Sequence, residues 1–204
     1  MNNEKGTLFV ISAPSGCGKG TILEEVFKRV DNLYFSVSAT TRSPRPGEVD
    51  GVNYFFKTVD EFKEMVDNDG VLEYAQFCGN YYGTPKAAVL EKLSQGIDVV
   101  LEIETQGAMN IKKSYPQAVL IFILPPSVKE LERRLKKRGT ETDDVIAKRV
   151  GEASGEINKA YNYDFVLIND ELELAIENFI HILKSHRFKI DNNKNTIDEV
   201  LKNA

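Results

Sequence analysis

Four short apolar runs, Leu8 to Ser12, Val99 to Ile103, Val119 to Leu124 and Phe165 to Ile168, are nearly unbroken and rich in β-branched residues, which predicts buried parallel strands. Between them the apolar positions take helical spacing. In Lys19 to Val30, residues Ile22, Leu23, Val26, Phe27 and Val30 share a face; Gln106 to Lys113, Ser127 to Lys137 and Glu171 to Ser185 also read as helices, with Ser127 a candidate N-cap. This alternation predicts an α/β fold, a doubly wound parallel sheet with helices on both faces. The rhythm breaks between 34 and 96, where Ser43-Pro44-Arg45-Pro46-Gly47, Tyr54-Phe55-Phe56 and Tyr81-Tyr82-Gly83 predict an inserted lobe of short strands with one helix near Val59 to Val66. Residues 138–163 are helical but polar, with Gly139, Gly151 and Gly155 as weak points, and fit a mobile helical lid. The expected division is a core of 1–33, 97–137 and 164–190, a lobe of 34–96, a lid of 138–163 and a polar C-terminal tail of 191–204, in which Val200 and Leu201 form the late apolar pair.

The first strand runs into Ala13-Pro14-Ser15-Gly16-Cys17-Gly18-Lys19-Gly20-Thr21. A loop this poor in side-chain bulk can turn its backbone N–H groups around phosphate oxygens at a helix N-terminus, and Lys19 adds a mobile charge for the β- and γ-phosphates. Ala13 and Gly20 depart from the general G-x-x-x-x-G-K-[ST] pattern. Thr21 therefore becomes the candidate hydroxyl near Mg²⁺.

Composition narrows the choice of partner. The chain has 204 residues, 42% hydrophobic and 28% charged, enough for one domain with an insertion or for two small lobes. Nothing approaches the roughly 18 consecutive apolar residues of a membrane span, and no signal-peptide pattern is present, so a soluble cytoplasmic protein is expected, with no membrane partner. A net charge of −5 argues against general nucleic-acid binding. The positive charge is nonetheless clustered, at Arg42 and Arg45 and again at Arg133, Arg134, Lys136, Lys137 and Arg138, followed by Lys148 and Arg149. Such clusters suit a small polyanion; the second also fits the solvated face of a helix anchored by Leu131 and Leu135. Cys17 and Cys78 have neither disulfide nor metal spacing. Cys17 either fills space in the loop or has its thiolate favoured by the helix N-terminus.

The segments from Ser36 to Gly51 and from Gly79 to Thr84, then Pro125-Pro126-Ser127, Arg138-Gly139-Thr140-Glu141-Thr142 and Asn169-Asp170, resemble guanylate kinase in order and spacing, over essentially Thr7 to Lys184. The resemblance implies transfer of the γ-phosphoryl group of ATP to GMP, giving ADP and GDP, with Mg²⁺ as cofactor and dGMP as a further acceptor. An alternative within the same resemblance is a non-catalytic module that binds a phosphorylated peptide. Its mark would be damage to the phosphate loop or to the acceptor set, and Gly16, Gly18, Lys19, Arg42, Arg45, Tyr54, Glu73 and Tyr82 are all present. Oligomeric state is left open.

By the same resemblance, Arg42 and Arg45 clamp the GMP phosphate, with Tyr54 and Tyr82 as hydroxyl donors and Glu48 nearby. The forked guanidinium suits a phosphate. Glu73 is expected to accept from N1–H and the 2-amine of guanine, with Ser38 and Thr84 donating to O6 and Glu104 a second base-side acceptor. Glu102 is assigned to the Mg²⁺ and water shell, Asn169 to adenine, and Arg134, Arg138 and Arg149 to the transferring phosphates on lid closure. Asn169 equally fits a helix N-cap. Glu102 and Glu104 also fit plain negative charge at a helix start. A nucleoside monophosphate, with a second pKa of about 6, is already largely ionised at pH 7, so no general base is required. His181 and His186 read as surface or core residues.

Overall fold

The computed structural model describes residues 5–77, 79–138 and 142–202. Five strands, β1 (Leu8–Ser12), β2 (Leu33–Phe35), β7 (Asp98–Glu102), β8 (Val119–Leu124) and β9 (Phe165–Ile168), form a parallel sheet in the order β2-β7-β1-β8-β9. β1, apolar to Ile11 and closed by Ser12, is buried along its whole length at the centre of this sheet. Its alternate residues feed two cores. Phe9 and Ile11 pack with Val100, Ile121 and Phe179 on one face, and Leu8 and Val10 pack with Val89, Leu101 and Ile111 on the other. Helices α1 (Lys19–Arg29), α5 (Val128–Arg138), α6 (Asp143–Asn158) and α7 (Leu172–His186) supply the first core, and α3 (Lys86–Ser94) and α4 (Thr105–Ser114) the second.

A second sheet, in the order β4-β3-β6-β5, is built from β3 (Ala39–Thr40), β4 (Phe55–Phe56), β5 (Val71–Phe77) and β6 (Asn80–Pro85). With α2 (Val59–Asp67) it forms the inserted lobe. Thr58 starts α2 through a reciprocal capping box with Glu61, and Phe62 anchors the helix by burying fully and stacking on Tyr81.

The lobe is shorter at both ends than the sequence division of 34–96. β2 pairs with β7 in the main sheet, because Leu33 and Phe35 pack against the first core. α3 was not anticipated as a helix; it lies on the main sheet because Val89 and Leu93, four apart, bury against Leu8, Val99 and Leu101.

The helical reading of the segment after α5 holds over Asp143–Asn158, and the tail gains an element not read from the sequence. Gly151 and Gly155 do not interrupt α6, which runs through both and packs on the core through Ile146, Val150 and Ala153. Gly139 lies outside the described residues. The C-terminal tail is helical, as α8 (Ile190–Lys202). Asn192 and Asn193 hold its start by donating side-chain hydrogen bonds to the carbonyls of His186, Arg187 and Lys189. Ser127 caps α5 by accepting from the Glu130 N–H. Among the described residues no helix is long and apolar enough to cross a membrane.

Candidate active site

The carboxyl ends of β1 and β7 lie side by side and open into a cleft of about 550 Å³. In an open α/β sheet this is where ligands gather. Ala13, Pro14, Ser15, Gly16, Cys17, Gly18, Lys19, Gly20 and Thr21 line one side; Ser38, Tyr54, Glu73 and Tyr82 of the lobe face them, with Glu102 and Glu104 at the base.

The loop after β1 is held from behind. Gly16 and Gly18 take φ of 93° and 81°, a region that excludes most side chains. At Gly18 there is a second reason for glycine: a Cβ there would lie 2.6 Å from Nδ2 of Asn169. That buried amide donates a 2.7 Å hydrogen bond to the Cys17 carbonyl, and the Ser12 hydroxyl ties the end of β1 to the Ile103 carbonyl at 2.8 Å. Asn169 thus braces the loop from β9 and is not among the residues lining the cleft. Burial pushes the Cys17 thiol up to about 12, so it stays neutral and fills space. Gly20 has open space around it, and the exposed Thr21 follows on the rim. Lys19 extends to Glu102 at 3.3 Å.

Side chains build the lobe side. The guanidinium of Arg42 donates to both carboxylate oxygens of Glu48, at 2.9 and 3.0 Å, and lies 5.3 Å from the ring centre of Tyr54. Glu48 also accepts from the Arg45 backbone N–H at 2.7 Å; the Arg42 hydrogen bond first, and this one after it, hold its carboxyl below the usual range. The Tyr54 and Tyr82 rings meet edge to face at 6.1 Å. Glu48 therefore orients Arg42, while Arg45 keeps its side chain exposed.

Glu73, on β5, is 8% exposed and accepts a 2.9 Å hydrogen bond from the Thr84 hydroxyl. Burial raises its carboxyl to about 7, against the lowering effect of Thr84 and with a further upward push from Glu104. Thr84 is fully buried, and its hydroxyl is engaged in the bond to Glu73. Ser38 lines the cleft and is half-buried. Glu104 lies beyond the end of β7, at the N-cap of α4, so strand alternation does not govern its direction as it does for Glu102.

The family model described as guanylate kinase matches residues 5–186. The chain belongs to the guanylate kinase family. It is 47% identical to the guanylate kinase of Desulfitobacterium hafniense over 190 residues, covering 93% of this chain and 95% of that protein. Identity to the guanylate kinase of Streptococcus thermophilus is 50% over 190 residues, with 93% and 91% covered. Among solved structures, guanylate kinase from Anaplasma phagocytophilum superposes with a TM-score of 0.76 at 32% identity, over 93% of this chain and 90% of that one.

The guanylate kinase motifs quoted from the sequence are gathered only in part. Arg134 donates to Glu130 at 2.8 Å and does not line the cleft; Arg149 is half-buried on α6 and also lies outside the lining. Arg138 ends α5, and its side chain lies outside the described residues, as does Cys78. Sequence reading missed Glu156, which lines the cleft from α6 half-buried, its carboxyl raised by burial. It also missed the 3.0 Å hydrogen bond from Lys159 to Thr105, which ties the segment after α6 to the start of α4. A carboxylate and a lysine three apart on a polar helix give no signal separable from surface charge.

Proposed function

We propose that this chain transfers the γ-phosphoryl group of ATP to GMP, giving ADP and GDP, with dGMP as a second acceptor. One observation carries the reading: the glycine-rich loop from Ala13 to Thr21 and the buried carboxylate of Glu73 line the same cleft. The triphosphate lies along the N–H groups of Ala13 to Thr21, where the positive end of α1 adds to the attraction. Lys19 leaves Glu102 for the β- and γ-phosphates; its 3.3 Å ion pair keeps it extended toward the cleft beforehand.

The acceptor phosphate meets Arg42 and Arg45, with Tyr54 and Tyr82 as hydroxyl donors, and Glu48 holds the Arg42 fork in orientation. Glu73, once ionised, accepts from N1–H and the 2-amine of guanine. Adenine offers a lone pair at N1 and no 2-amine, so a site relying on these hydrogen bonds rejects it by on the order of 10⁴. The acceptor oxygen is ionised near neutral pH, so the protein's task is alignment, charge and exclusion of water. Arg134, Arg138 and Arg149 would add charge at the transferring group as the lid and lobe close, and Asn169 serves the donor side by fixing the loop.

The donor set fits Mg²⁺. Among the described residues no group of three acidic, His or Cys side chains converges. The exposed Thr21 hydroxyl and the Glu102 carboxylate at the cleft suit a hard cation that keeps its waters and phosphate oxygens. When bound, the ion would neutralise charge on the phosphates. Formation of GDP from ATP and GMP, followed by chromatography with Mg²⁺ present, tests the proposal; folded protein that yields none overturns it.

A further inference from the structure

Gly107 stands in the first turn of α4, one of the places where the core touches the lobe. Glycine is a poor helix former, and here no backbone requirement explains it, since its φ is not positive. Space does. A Cβ on Gly107 would lie 2.8 Å from Oε2 of Glu73, 3.3 Å from the carboxyl carbon of Glu73 and 3.3 Å from Cδ1 of Ile103. The far side of the carboxylate is fixed by the 2.9 Å bond from Thr84 to Oε1. Behind the strand, a Cβ at Gly83 would already be 3.0 Å from the Glu73 carbonyl. The Glu73 carboxylate is thus held between the Thr84 hydroxyl and the space left by the missing methyl group of Gly107, and Glu73 lines the cleft.

We infer that Gly107 is a positioning residue for base selection: its missing side chain is the slot in which the Glu73 carboxylate lies, so that both oxygens stay aligned for a guanine edge. This rests on the reading of Glu73 as the base acceptor. An added methyl group would drive Oε2 toward the ligand or turn the carboxylate off Thr84. Either movement costs guanine affinity and leaves the phosphate loop alone.

The experiment is Gly107→Ala, with KM measured separately for GMP and ATP and with thermal unfolding followed in parallel. The expected result is a GMP KM raised about 10-fold or more, an ATP KM within about twofold of the parent, and an unfolding temperature unchanged or higher, because alanine favours the helix. A merely structural glycine would instead lower stability and weaken both nucleotides alike. The double variant Glu73→Asp with Gly107→Ala gives a second readout. A shorter carboxylate retreats from the methyl group, so the double variant should use GMP better than the product of the two single effects. An unchanged GMP KM in Gly107→Ala, or strict additivity in the double variant, overturns the inference. Glu73→Gln separates the two readings. If that change leaves GMP use intact, the role of Glu73 itself fails; if it impairs GMP use while Gly107→Ala does not, only the slot fails.

Discussion

Between Ala13 and Thr21 the proposed donor pocket is made of backbone, shaped by two glycines at positive φ and braced by Asn169 from another strand. Across the cleft the proposed acceptor pocket is made of side chains: Glu73 and Tyr82 stand on β5 and β6, while Tyr54 just precedes β4 and Arg42 just follows β3. A backbone cradle grips any phosphate chain. Side chains with fixed partners, such as Arg42 on Glu48 and Glu73 on Thr84, can discriminate among acceptors. Loss of a group on the loop side should therefore reduce turnover, and loss on the lobe side should change which nucleotide is used.

The largest effect is expected at Lys19. Lys19→Met should lower kcat by on the order of 10³ while the fold persists, read by steady-state rates and circular dichroism. Turnover close to the parent would remove the loop from the chemistry and erase the contrast. Next comes Glu73→Gln, which turns one acceptor into a donor and should reduce kcat/KM for GMP by on the order of 10² with ATP binding preserved. Equal losses for both nucleotides would mean the lobe does not select. Asn169→Ala should cost about 10-fold in kcat/KM for ATP, because the Cys17 carbonyl loses its donor and the loop its brace, with GMP KM little changed. A defect confined to GMP would place Asn169 on the wrong side of the comparison.

The smallest effect concerns stability. The Glu73 carboxyl rises from 4.5 to about 7 in the folded protein, so between those values the native state binds more protons than the unfolded chain. Stability attributable to Glu73 therefore falls as pH rises through this window, and the penalty is complete above about 7. Glu73→Gln should raise the unfolding temperature by about 2–4 °C at pH 8 and lose that advantage near pH 4.5. The same ionisation should make kcat/KM for GMP fall as pH drops below about 7.

Much of this was legible in the chain, for identifiable reasons. Leu8 to Ser12 and Val119 to Leu124 are buried strands over those same residues, because strands on a doubly covered sheet have little need of polar interruption. Phe165 to Ile168 is also a strand over its expected residues, but not a buried one, since it lies at the sheet edge with Val166 and Ile168 exposed. The phosphate loop was readable because its chemistry is local, with glycine, lysine and threonine adjacent in sequence. α3 was hidden because its amphipathic face is narrow, with only Val89 and Leu93 buried, and the glycine- and aromatic-rich lobe ran up to it without a break. α8 was hidden because Ile190, Ile197, Val200 and Leu201 stay exposed among Asn, Lys and Asp, so the pattern reads as polar tail. Contacts between distant positions carried the remainder. The Asn169 bond to Cys17 spans 152 positions, and the approach of Gly107 to Glu73 joins a helix of the core to a strand of the lobe; neither has a local signature.

Selection by the lobe is tested most directly by the ratio of kcat/KM for GMP and AMP, measured in one preparation with saturating ATP and Mg²⁺. A preference for GMP on the order of 10⁴ is expected. Comparable use of the two acceptors would contradict the assignment of Glu73 and, with it, the division of labour between backbone and side chains.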